Sequence, residues 1–240
     1  MKQIIKTTAP ETYPEGIKQL FSSHATEYKE YKSIDDISFP EGFWECAYQL
    51  YKDSFIVAYH YTREISPGYF KQHGLHILNF ERHKQFVVNA LQDRLPSSQL
   101  EFLKNLSFPE TRAHDTNSIW FCYQRNDSDA GVIPLLKYFG GECICGRITD
   151  GYIKDDISNA LEQVGTPMVV EFCCNACDIS NSNVTCNVNI TRIMLATYLN
   201  KYFCPEMRIP NGEDSTEKDI PPTQIIDVCP VEVLQATKNT

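Results

Sequence analysis

Between residues 54 and 79 the chain passes from an apolar strand into a short helix closed by glycine, and that order of elements limits the folds open to it. Ser54-Phe55-Ile56-Val57-Ala58-Tyr59 is rich in β-branched and aromatic residues and turns polar at His60, as expected where a buried strand reaches a sheet edge. A strand ending on His60 and Tyr61 sends those two side chains to opposite faces, so one can face a cleft while the other packs. Pro67 and Gly68 suit a loop or a first helical turn, and Gly74 stands where a helix over Tyr69–His73 needs a left-handed residue to stop.

Around this segment the pattern predicts an α+β protein. Ile17, Leu20, Phe21, His24, Tyr28 and Tyr31 recur at helical spacing, and Phe43–Tyr51 reads as a second helix after Pro40. His24 on that stripe is expected to be packed. Residues 82–94 and 97–106 read as consecutive helices broken at Pro96, 155–164 and 189–203 as further helices, and 118–124, 142–148 and 167–174 as strands. Residues 205–220 read as a polar loop, and 221–228 as a returning strand or short helix.

Two more places carry candidate chemistry. Tyr123 ends the aromatic strand Ile119-Trp120-Phe121-Cys122-Tyr123, where it suits either a stacking residue or the core. Glu142 follows Gly140 and Gly141 at the start of the expected strand Cys143–Ile148. Paired glycines let the backbone approach a ligand or take positive φ, and they stop a short helix expected within Val132–Phe139. An anionic carboxylate there suits chemistry in which positive charge develops on a substrate. A plain turn with an exposed acid is the simpler alternative.

The order His60-Tyr61-Thr62, Ile65 to Gly74-Leu75, aromatic strand, then Glu142 resembles the ADP-ribosyltransferase superfamily in its His-Tyr-Glu branch. His60 and Glu142 stand 82 positions apart (142 − 60), and the resemblance covers roughly residues 54–148. It implies an α+β fold with a split mixed β-sheet core and helical N-terminal and C-terminal additions: a helical extension over 1–52 and a catalytic domain over 53–240. It also implies NAD as substrate, held by His60, Tyr61 and Thr62 with Tyr61 or Tyr123 stacking nicotinamide, and Glu142 stabilising the cationic sugar as nicotinamide leaves. The acceptor would be a protein or nucleic acid, the setting that of a toxin or defence effector, and a neutralising partner protein would accompany it. His60 and Gly140 stand where arginine-modifying members carry other residues, which points away from arginine as acceptor.

Net charge is −9, and residues 204–240 hold seven acids against three bases. Such a chain lacks the basic footprint of a general nucleic-acid binder; Arg82, His83, Lys84 and Arg94 are read as a solvated helix face. No secretory leader or stretch of 18 apolar residues is evident, so a cytoplasmic protein without membrane segments and with reduced thiols is expected. Ten cysteines include a CxxC at Cys174–Cys177 followed by Cys186, but no second pair completes a zinc set, so no metal is expected. Cys143 and Cys145 are expected on one face of a strand, as small core residues. Asp127 and Asp129 read as a turn. Neither a phosphate-binding loop nor a dinucleotide fingerprint is present. Two other classes stay open: a non-catalytic interaction protein whose acidic C-terminal region masks a basic surface, and a nuclease or hydrolase using His60 with a carboxylate, with or without a metal.

Overall fold

The computed structural model describes residues 2–108, 116–129, 131–148, 151–180 and 188–232. In chain order the elements are β1 (Ile4–Ile5), α1 (Glu15–Tyr28), α2 (Phe43–Tyr51), β2 (Phe55–Glu64), α3 (Tyr69–His73), α4 (Phe80–Leu91), α5 (Ser97–Lys104) and β3 (Ile119–Cys122). There follow α6 (Ile133–Lys137), α7 (Gly141–Cys145), α8 (Gly151–Glu162), β4 (Thr166–Asn175), β5 (Ile179–Ser180), α9 (Val188–Tyr202), β6 (Glu213–Thr216) and β7 (Ile225–Pro230). The fold class is α+β, as expected. Among the described residues the strands order β5-β6-β3-β2-β4-β7, with β1 parallel to the start of β2. Tyr59 pairs antiparallel with Cys122, and Ile179 with Thr216.

The chain divides into two compact units, each discontinuous in sequence: residues 1–59, 120–125 and 172–220, and residues 60–119, 126–171 and 221–240. The first 52 residues share a unit with later segments of the chain. In that first unit α1 buries Ile17, Phe21, Ala25 and Tyr28, a stripe set by the helical period. α2 buries Phe43, Ala47 and Tyr51 after entering through Gly42 at φ 75°. α9 packs against both helices, and Tyr51 Oη meets Thr191 Oγ1 at 3.0 Å. His24 stacks on Tyr28 and meets Phe43 edge-on, a packed residue as expected.

In the second unit α4, α5, α7 and α8 enclose an apolar core of Val87, Val88, Leu91, Leu103, Ile144, Ile157 and Leu161. Asn79 caps α4, its Oδ1 accepting the Arg82 N–H at 3.0 Å, which satisfies one of the donors a helix start leaves open.

Three local features differ from the sequence expectation. The segment after Gly141 is helical rather than extended. Gly140 and Gly141 both take positive φ (88° and 57°) and turn the chain, after which Ile144 and Ile148, four apart, enter the core together. Cys143 and Cys145 are accordingly partly exposed helix residues, not a buried strand face. β6 occupies part of the expected polar loop, because its Asp214, Ser215 and Thr216 are buried and polar at once. β2, finally, runs on beyond His60 to Glu64, since its polar end finds partners inside the fold.

Candidate active site

Alternation along the second half of β2 puts His60, Thr62 and Glu64 on one face and Tyr61 and Arg63 on the other. His60 and Thr62 are half-buried, so this face remains partly open to solvent. Arg63 anchors the opposite face. Its Nε donates to the Val164 carbonyl (2.7 Å), Nη1 to Leu136 and Lys137 (2.6 and 3.1 Å), and Nη2 to Glu162 and Gly165 (2.9 and 2.7 Å). These carbonyls close α6 and α8, where helix dipoles leave partial negative charge, so the guanidinium is matched without a direct carboxylate bond. Burial draws its pKa down, with the Glu162 carboxylate acting the other way.

Tyr61 is 4% exposed and its Oη accepts the Asn126 N–H at 2.7 Å. The Tyr61→Phe variant should lose about 1–2 kcal/mol in chemical denaturation, the range for an amide deprived of its acceptor. An unchanged midpoint would contradict the structural role of this hydroxyl.

Glu64 is buried and accepts the Phe70 N–H at 3.4 Å. That bond fixes the start of α3, which enters through Gly68 (φ 81°) and leaves through Gly74 (φ 75°), as the sequence indicates. Lys71 Nζ pins α3 to β7 through the Ile226 carbonyl at 2.7 Å and Asp227 at 3.7 Å.

Glu142 is the second residue of α7, in the same unit as His60; its side chain lies outside the described residues. The turn that carries it is held by His83, which the sequence places on a solvated helix face. His83 Nε2 donates to the Gly140 carbonyl at 3.2 Å, and Cys143 Sγ donates to the same oxygen at 2.9 Å. Burial lowers the His83 pKa, favouring the neutral ring. A Cβ on Gly140 would lie 3.0 Å from both Ile144 and Val87, so the turn has little room for any other residue.

Tyr123 belongs to the first unit and is fully buried, its Oη donating to Asp214 Oδ2 at 2.6 Å. Its ring packs edge-on to Phe121. The aromatic partners expected from sequence are thus both enclosed: Tyr61 and Tyr123 hold backbone and carboxylate groups rather than presenting open faces.

An open cleft of about 390 Å³ in the first unit is lined by Glu11, Lys18, Tyr198, Tyr202 and Phe203, none of them a site candidate from sequence. Among the described residues no three His, Cys, Asp or Glu side chains are grouped to hold a metal ion. Cys173 and Cys174 are buried in β4, where burial pushes the Cys174 thiol up, and Cys177 is exposed; Cys186 lies outside the described residues. Asp129 Oδ1 accepts the Gly131 N–H at 2.8 Å, a turn leading into α6. Among the described residues no helix is long and apolar enough to cross a membrane.

Comparison with protein-family models, with curated proteins and with solved structures found no match in any of the three.

Proposed function

We propose that the chain is an NAD-consuming mono-ADP-ribosyltransferase-like enzyme acting on a macromolecular acceptor. The observation that carries this reading is the construction of β2. Its His60 and Thr62 face is partly open, its other face is fixed by Tyr61 and Arg63, and its exit leads straight into α3 with glycines at both ends. Such a strand presents an imidazole and a hydroxyl at fixed positions, and preorganised polar groups are what orient a bound dinucleotide. In the proposed reaction the bond between nicotinamide and the ribose breaks, nicotinamide leaves with the bonding electrons, and positive charge spreads over the sugar. Glu142 stabilises that charge, the acceptor nucleophile attacks the sugar carbon, and the acceptor's proton passes to solvent. Tyr61 and Tyr123 act in this scheme as supports.

The His60→Ala variant should weaken NAD binding at least tenfold, about 1.4 kcal/mol, in protein that remains folded. Equal binding by both proteins would remove His60 from the site. If the setting is that of a toxin or defence effector, overproduction should arrest growth and Glu142→Gln should relieve it. Equal arrest by both forms would count against that role.

A second reading, a non-catalytic interaction protein, draws on Tyr202 and Phe203, which border the open cleft at 51% and 43% exposure; exposed aromatics are enriched at binding hot spots. The version in which acidic C-terminal residues mask a basic partner has less support. Glu206 already pairs with Lys32 at 2.5 Å, Asp227 lies beside Lys71, and Asp214 is buried.

A further inference from the structure

Asp214 is 4% exposed, an unusual position for a carboxylate, and it sits on the short strand β6 within the first unit. Its Oδ2 accepts from Tyr123 Oη at 2.6 Å and its Oδ1 lies 3.3 Å from Asn189 Nδ2 at the start of α9. Cys174 on β4 and Tyr51 on α2 lie near Tyr123, and Cys174 in turn lies near Cys173 and near Asp178 in the turn before β5. Each is an acid or a neutral hydroxyl or thiol. Asp178 is itself tied down, its Oδ2 accepting from Asn175 Nδ2 at 2.9 Å and its carbonyl from Thr216 Oγ1 at 2.8 Å. Among the described residues no Lys, Arg or His pairs with Asp214, and the sequence of 181–187, Asn-Ser-Asn-Val-Thr-Cys-Asn, contains no base. Burial makes such a carboxylate costlier charged than neutral, because the Tyr123 and Asn189 donors offset only part of the lost hydration and no described cation pairs with it.

We propose that Asp214 is a proton-operated latch. With the carboxyl protonated, the chain Tyr123–Asp214–Asn189 holds β6 to the end of β3 and to the first turn of α9; with it ionised, that corner of the first unit loosens. The added proton finds an acceptor if the Asn189 amide flips to present its oxygen, which gives up the 3.5 Å bond from Asn189 Nδ2 to the Glu213 carbonyl. Burial pushes the carboxyl up from 3.8 to about 6, against the lowering effect of the Tyr123 and Asn189 bonds. Because the folded value lies above the unfolded one, this contribution to stability is full below the unfolded value and is lost as pH rises through about 6.

Urea unfolding of the full chain from about pH 5 to about pH 8 tests the latch, with Asp214→Asn as reference. The wild type should lose roughly tenfold in its folding equilibrium relative to the variant over that interval. Tyr123→Phe, which removes a bond favouring the ionised form, should move the transition to higher pH. Parallel pH profiles for wild type and Asp214→Asn, or an unmoved transition in Tyr123→Phe, would overturn the proposal. Should neither variant fold, amide exchange in the wild type decides. Protection of Ser215 and Thr216, corrected for intrinsic rates, should fall about tenfold over the same interval, and equal protection would overturn the latch.

Discussion

Replacing Arg63 by alanine should cost about 3–5 kcal/mol of folding stability, because several carbonyls share this one partly buried charged donor. Five carbonyls, from Leu136, Lys137, Glu162, Val164 and Gly165, converge on this one guanidinium. Removing it leaves them without their donor at the ends of α6 and α8, where water must enter or the turns must shift. Arg63→Lys should recover only a small part, because an ammonium has three donors and no planar fork to span five oxygens. Chemical denaturation with both variants checks this. A loss below about 1 kcal/mol in Arg63→Ala would mean that solvent replaces the network with little cost.

Gly165→Ala should be nearly as damaging, at about 2–4 kcal/mol, for two reasons that add. Gly165 has φ +66°, and a Cβ there would lie 2.7 Å from the Glu64 carbonyl oxygen. A left-handed alanine alone costs about 1–2 kcal/mol, and the overlap adds more because its partner is backbone and cannot rotate away. Gly42→Ala is the control: Gly42 has φ +75°, and a Cβ there would meet nothing within 4 Å, so it should show the left-handed cost alone. Equal losses at the two glycines would show that the β2 end yields to the methyl. Arg63 and Gly165 meet at one junction, so the double variant should lose less than the sum of the single ones.

The same junction explains what was and was not legible in the sequence. The β2–α3 segment was readable because each signal is local: an apolar run, a polar switch at His60, and Gly74 at the end of a five-residue helix. α2 was readable with its bounds because Phe43, Ala47 and Tyr51 repeat every four residues after Gly42. The extension of β2 to Glu64 was hidden, since Arg63 and Glu64 look like a strand's exit until their partners, distant in sequence, are known. β6 was hidden for a related reason: Asp214, Ser215 and Thr216 carry no apolar period, and their burial depends on Tyr123, Asn189 and the Asp178 carbonyl. In α7 the cysteines and isoleucines have a strand-like composition, while two consecutive left-handed glycines and the pull of the α4–α8 core make a helix. Of the candidate site, the positions of His60 and Thr62 on a partly open face agree with the alternation expected of a strand end. The enclosure of Tyr61 and Tyr123 depends on tertiary partners that no local pattern marks.

The central claim concerns chemistry at His60, Thr62 and Glu142, and nicotinamide release from NAD tests it most directly. Purified wild type, His60→Ala and Glu142→Gln should be compared, each with and without crude cell lysate as a source of acceptors. The account predicts release by the wild type, stimulated by lysate, and a loss of at least a hundredfold in Glu142→Gln, about 2.7 kcal/mol of barrier, with NAD binding retained. No release and no NAD binding by a folded wild type, or equal release by Glu142→Gln, would contradict it.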